Sequence, residues 1–322
     1  MKIKFKLILM FFAITTIACG GQTSHNNQSV STSVETTKKT HAPALPEDAE
    51  RAGEELQGVR ISVSPTDSLM VLTILNEAKT LKQKPDNWML WTARKFMGKP
   101  YVAGVLDRTD DEELIVNLRN LDCTTYVEQV LALARCAANA KTTFNDFATE
   151  LLHIRYVNGK CAYTARQHYF TVWINDNEKE GIVRDIHPNP PFTAVQTINI
   201  DWMTTHTASY KMLTAHPEWK SGIRNLEQSV NGKRYRYIPK SQIVNTRLMR
   251  ETIHDGDIIV IITNKKGLDT THIGLASWHS DGLHLINASA IHKKVVDEPM
   301  LLRTYMAKHP VQIGIRICRP IL

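Results

Sequence analysis

Cysteine is scarce in this chain and follows no pattern. Five occur among 322 residues, and their spacing gives neither a disulfide framework nor the short paired intervals of a zinc site. A His-Glu-x-x-His run is also missing, so metal chemistry of that kind is not expected, nor is any cofactor. Basic clusters interleaved with aromatics are absent, which argues against nucleic acid as a partner. The net charge is nevertheless +7. That surplus suits either solubility at an anionic surface or attraction of an acidic substrate. The apolar run 7–14 is too short to span a bilayer. No internal repeat is visible. The 43% hydrophobic content over this length supports one large domain or two small ones.

The first residues read as a targeting segment. Lys2, Lys4 and Lys6 precede the apolar run, and Thr16-Ile17-Ala18-Cys19 follows it. A cysteine directly after a small residue resembles a bacterial lipobox, in which Cys19 would carry the lipid; Thr16 stands where leucine is commoner. The alternative is an ordinary cleaved signal. Residues 20–48 are rich in Gly, Ser, Thr, Asn and Gln and bury too little surface to offset their ordering entropy, so they read as a flexible linker. The expected organisation is a signal segment at 1–19, this linker, and one catalytic domain at 49–322. The expected location is a membrane-anchored lipoprotein facing the periplasm or cell surface.

Along the body, apolar periodicity predicts helices over 69–81, capped by Asp67 or Thr66, and over 87–97, ending at Gly98. Two more are predicted over 123–140 and 144–156. Alternation with aromatic and β-branched residues predicts a strand over 169–174. Further strands are expected at 258–262, 272–278, 283–288, 295–297 and 313–318, the first of them central because it is wholly apolar. The polar, poorly periodic stretch 175–242 reads as loop insertions. Helices first and strands later indicate an α+β fold.

Cys123 is the residue with the most chemical promise. It opens a predicted helix, where free N–H groups and the positive dipole end favour a thiolate. A nucleophilic cysteine needs a base and a group that fixes the base's tautomer. His272 begins one predicted strand and Asn287 lies near the end of the next. If the two form a hairpin, the asparagine oxygen can bind one ring nitrogen and leave the other for the thiol. Read singly, each residue also has a structural explanation: an inert buried thiol, a strand histidine, a turn asparagine. Cys136 and Cys318 read as small buried apolar residues.

The ordered set Gly98-Lys99-Pro100-Tyr101-Val102-Ala103-Gly104, Asp122-Cys123-Thr124, His272-Ile273-Gly274 and Asn287-Ala288-Ser289 resembles the NlpC-type superfamily of papain-like cell-wall cysteine hydrolases. The stretches 121–134, 163–170 and 256–259 resemble its N-acetylmuramoyl-L-alanine amidase-like subfamily. That resemblance implies a papain-like core, with an N-terminal helical part packed on an antiparallel sheet. It implies Cys123 as nucleophile, His272 as base, and Asn287 in a third position where histidine is common. Tyr101 and Asp122 would support the oxyanion site, with a core aromatic as the other reading of Tyr101. Arg166, His168 and Tyr169 would contact substrate, Arg166 by gripping a carboxylate unless it serves a structural ion pair. The implied substrates are muramyl peptides, cut between N-acetylmuramic acid and L-alanine. The alternatives are a stem-peptide endopeptidase of the same superfamily and a non-catalytic wall-binding lipoprotein.

Overall fold

The structure, a computed structural model, describes residues 55, 56 and 58–322. The signal segment, Cys19 and the linker therefore lie outside the described residues.

A short strand β1 (Ile61–Val63) leads into helix α1 (Pro65–Thr80). Proline suits the first helical position because its missing N–H has no partner to lose there. The cap is Ser64 rather than Asp67 or Thr66: its hydroxyl accepts from the Asp67 N–H at 3.1 Å. The Asp67 carboxylate in turn accepts from the Ser64 hydroxyl at 2.6 Å and pairs with Arg119 at 3.0 Å. Helix α2 (Trp88–Arg94) is shorter than its sequence pattern, and turns carry the chain to Gly98, whose φ of +79° favours glycine. Strand β2 (Leu114–Val116) pairs in parallel with β1. Helices α3 (Cys123–Ala138) and α4 (Phe144–Arg155) both start in capping boxes, Asp122 with Thr125 and Thr143 with Asp146.

Helix α3 is apolar nearly all round, with Tyr126, Val127, Val130, Leu131, Ala132, Leu133 and Ala134 fully buried. A helix of that kind must be covered on every side. Helices α1, α2 and α4 cover it from one direction and two strands of the main sheet from the other. Truncating Leu131 to alanine would cost about 2–5 kcal/mol.

The expected strand at 169–174 is instead the start of helix α5 (Phe170–Lys179). The local residues favour a strand, but tertiary partners decide. The Asp269 carboxylate accepts from the Thr171 N–H at 2.7 Å and so satisfies a helix-start donor from 98 residues away. Phe170 stacks on Trp173 with ring centroids 4.6 Å apart, and the Asn177 amide binds the Ile154 carbonyl at 3.0 Å.

The stretch 175–242 is not loop insertion either. It carries β3 (Val183–Ile186), β4 (Ala194–Thr197), α6 (Trp202–Thr205), α7 (Lys211–Ala215), α8 (Lys220–Val230) and β5 (Arg234–Pro239). Helices α6, α7 and α8 share an apolar cluster with Tyr163, Tyr169 and Ile200, to which they add Met203, Leu213 and Ile223, and Tyr235 of β5 packs against it. Most elements of the stretch are too short for a period to show, but α8 buries Ile223, Leu226 and Val230 at helical spacing, a signal the polar composition masked.

After α9 (Arg247–Thr252) come β6 (Ile258–Thr263), β7 (Thr270–Trp278), β8 (Leu283–Ser289), β9 (Lys294–Asp297), α10 (Leu302–Ala307) and β10 (Gln312–Pro320). The five strands expected from sequence over 258–318 all form. The sheet runs β4-β5-β10-β6-β7-β8-β9, with β3 also on β10, and its pairs are antiparallel. β6 is central and buried on both faces. Ile258, Val260 and Ile262 enter the core shared with α3, whereas Ile259 and Ile261 enter a second core with Tyr305 and Met306 of α10. The fold is therefore α+β with helices packed on an antiparallel sheet.

Candidate active site

The start of α3 and the start of β7 meet at a cavity of about 280 Å³, lined by Cys123, Thr124, Arg166, His168, Asp269 and His272 among others. The capping box fixes the helix start. Asp122 Oδ1 accepts from the Thr125 N–H at 2.8 Å and from its hydroxyl at 2.9 Å. Asp122 thus serves as a cap. Burial raises its pKa against the pull of the two Thr125 bonds, and those bonds commit it to the helix start, so it supports the site through the helix geometry.

The Cys123 thiol differs from the expected thiolate. Burial, and then the Asp122 carboxylate, push it up to about 12, against the weaker opposing pull of Thr124 and the Ile273 N–H. The favourable helix end is outweighed by loss of solvent and by the capping carboxylate beside the sulfur. Both effects favour the thiol over the thiolate at neutral pH. All four cysteines among the described residues are free, and Cys136 and Cys318 are buried as expected.

His272 and Asn287 sit on adjacent strands. The β7–β8 register pairs Leu275 with Ile286. His272, three residues before Leu275, and Asn287, one after Ile286, then share a face on a diagonal. His272 Nε2 lies 3.0 Å from Asn287 Oδ1. The Asn287 amide nitrogen donates to the Leu285 carbonyl at 3.1 Å, so its oxygen must face the ring. Nε2 is therefore the protonated nitrogen, and Nδ1 keeps its lone pair. Burial lowers the His272 pKa, leaving a neutral imidazole near pH 7. Gly274 makes this approach possible: a Cβ there would lie 2.7 Å from the Ile286 carbonyl oxygen.

Tyr101 reaches the helix start through backbone pairing. Its N–H donates to the Lys293 carbonyl at 2.9 Å, and residue 102 bonds the Leu121 carbonyl at 2.9 Å. Burial, with Cys123 and Asp122 next in effect, raises the phenol and keeps it a donor. Tyr101 is half-buried and flanks the cavity rather than lining it.

The three residues expected to bind substrate do line the cavity, but their polar groups are engaged by the protein. Arg166 pairs with Asp107 at 2.6 Å and Glu112 at 3.6 Å, so its fork is already filled by carboxylates. His168 Nε2 lies 2.8 Å from the Tyr163 carbonyl, and burial, then Arg166, holds its pKa well below the ordinary value. The Tyr169 hydroxyl donates to Glu227 at 2.7 Å and accepts from the Met203 N–H at 2.8 Å. Two further neighbours carried no local sequence signal. Tyr305 of α10 sets its ring 6.4 Å from that of His272, and the Ile273 N–H faces Cys123. Thr124, adjacent to Cys123, was within reach of a sequence argument.

A family model described as N-acetylmuramoyl-L-alanine amidase-like matches residues 91–315. Comparison with curated proteins finds no match. Among solved structures, an N-acetylmuramoyl-L-alanine amidase from Bacteroides uniformis is 35% identical with a TM-score of 0.68, over 73% of this chain and 98% of that one. A Bacteroides fragilis protein provisionally named a xylanase is 35% identical with a TM-score of 0.67, over 71% and 99%. A Legionella pneumophila protein at 22% identity and a TM-score of 0.62, over 80% and 95%, shares the fold. Taken with the fold and the cleft, the extent of these matches establishes that the chain belongs to the N-acetylmuramoyl-L-alanine amidase-like family.

Proposed function

We propose that the protein is a cysteine amidase with a papain-like, NlpC-type core that cleaves muramyl peptides between N-acetylmuramic acid and L-alanine. The observation that carries this reading is the 3.0 Å bond from His272 Nε2 to Asn287, which leaves Nδ1 as a base at the cavity that Cys123 also lines. Because thiol and imidazole both rest neutral, the proton moves during attack rather than before it. Cys123 Sγ bonds to the amide carbonyl carbon while His272 takes the thiol proton. The oxyanion forms beside the Cys123 N–H and the Tyr101 phenol. The C–N bond then breaks as His272 passes the proton to the leaving L-alanine nitrogen. Water next attacks the thioester, His272 accepts its proton, and Cys123 leaves as a thiol once reprotonated.

A glycosidase reading, suggested by the name of one neighbour, meets an obstacle in the cleft. Such chemistry requires two free carboxyl groups across the scissile bond. Here Asp107 is paired with Arg166, Asp122 caps α3, Glu128 is paired with Arg155 at 2.7 Å, and Asp269 caps α5. The proposed setting is cell-wall turnover or recycling by an exported lipoprotein anchored through Cys19. Product masses from a muramyl pentapeptide test the specificity. An intact stem peptide beginning with L-alanine supports the amidase. A fragment lacking its first two residues would make the enzyme a stem endopeptidase, and no cleavage would leave only a wall-binding protein.

A further inference from the structure

The turn between β7 and β8 lies at the opposite end of the hairpin from His272 and Asn287. There His279, Asp281 and His284 bring their donor atoms within 4.8 Å of one another. None of the three lines the active-site cavity.

The hydrogen bonding leaves a cation-shaped requirement. His284 is 2% exposed, and its Nδ1 lies 2.8 Å from the Glu298 carbonyl, which can only accept. Nδ1 therefore holds the proton, and in the neutral ring Nε2 carries a lone pair. That lone pair faces Asp281 Oδ1 at 3.0 Å, another acceptor. Beside it, His279 Nε2 lies 3.0 Å from Asp297 Oδ2, whose second oxygen is buried without a hydrogen-bond partner. The two rings stack at 4.0 Å and 17°. His279 Nε2, also 3.1 Å from the Ser277 hydroxyl, donates to Asp297 in the neutral ring, so the unmatched contact is the His284 lone pair against Asp281. A divalent ion held by the three clustered donor atoms gives the His284 lone pair and the Asp281 carboxylate a shared partner.

We propose that His279, Asp281 and His284, with Asp297 as the adjacent carboxylate, form a divalent-metal site of the zinc type. Two imidazoles and two carboxylates suit a borderline-soft transition ion better than magnesium or calcium, and the two negative charges balance it. The Glu298 carbonyl on His284 Nδ1 is the outer partner that orients a ligating histidine. The backbone is also held in advance. His279 N–H bonds the Gly282 carbonyl at 2.8 Å, and Arg250 binds the His279 carbonyl at 2.9 Å while its guanidinium lies 4.4 Å over the Trp278 ring. Bound metal would clip the hairpin that carries His272 and Asn287 and so fix their register from the far end.

The test is titration of the metal-free protein with Co²⁺, followed by Zn²⁺, with Mg²⁺ as comparison. One equivalent of Co²⁺ should give visible d–d absorption without sulfur-to-cobalt charge transfer, and Zn²⁺ should displace it and raise Tm. Asp281→Asn and His279→Gln should abolish both effects. Their side chains are 60% and 40% exposed, so the metal-free Tm should stay close to that of the parent. Four results would overturn the proposal. These are no cobalt spectrum, an unchanged spectrum in the variants, charge-transfer bands assigning the ion to cysteine, or an equal Tm rise with Mg²⁺. The first would mean that protons alone hold the cluster as ion pairs.

Discussion

Asn287 holds His272 by a bond whose direction is set from behind: Nδ2 is committed to the Leu285 carbonyl, and Oδ1 therefore receives the ring's Nε2–H at 3.0 Å. The asparagine fixes the tautomer without adding charge. Asn287→Ala leaves a buried donor unpaired, a loss of about 1–3 kcal/mol. If that loss is felt in the transition state, kcat falls about 5- to 150-fold. Steady-state kinetics should show the loss mainly in kcat. Asn287→Asp places a negative charge beside Nε2 and raises the His272 pKa, so the acid limb of kcat/KM should move to higher pH.

The neutral pair also predicts how Cys123 alkylates. With the thiol pushed up to about 12, its reaction with iodoacetamide should keep accelerating from pH 6 to 9 without a plateau near neutrality. A plateau there would mean an activated thiolate at rest. The same neutrality sets a stability window. His168 and His272 both have folded pKa values below their ordinary 6.5, so the unfolded chain binds more protons below that pH. Their contribution is complete above about pH 6.5 and is lost as pH falls. Tm measured from pH 7.5 to 5 should drop, and His168→Gln should flatten the slope.

Much of this site was legible because its parts are short and local. Cys123 at a capped helix start, His272 opening one strand and Asn287 closing the next each carry a pattern within a few residues, and the hairpin joins them. The wholly apolar run at 258–262 likewise marked β6 as central. What the sequence hid was set at long range. Asp269 caps α5 from 98 positions away and turns a strand-like run into helix. For Arg166 the sequence left carboxylate binding and a structural ion pair both open, because nothing nearby reveals that Asp107 and Glu112 fold over it. The upward pull of burial on the Cys123 thiol is likewise absent from a helix-dipole argument.

Gly274 offers a steric test of the hairpin. In Gly274→Ala the new methyl meets the Ile286 carbonyl at 2.7 Å and the Leu285 side chain at 2.8 Å. The strands must separate, at a cost of about 1–3 kcal/mol. Urea unfolding should register that cost, and activity should fall further than stability because His272 shifts against Asn287.

Beneath the cleft, Arg155 and Glu128 form a buried pair at 2.7 Å, and Arg155 also binds the Ile115 carbonyl at 2.6 Å. Arg155→Met strands the Glu128 carboxylate and should cost about 3–5 kcal/mol in urea unfolding. Adding Glu128→Leu removes the stranded charge and should recover much of the loss.

The central claim is that Cys123 carries the acyl group. Its most direct measurement is the intact mass of enzyme acid-quenched during turnover of a muramyl dipeptide, followed by peptide mapping. The account predicts a thioester-linked muramoyl adduct on the peptide containing Cys123, and neither adduct nor product with Cys123→Ala. Free L-alanyl peptide released by Cys123→Ala at the parent rate would contradict it.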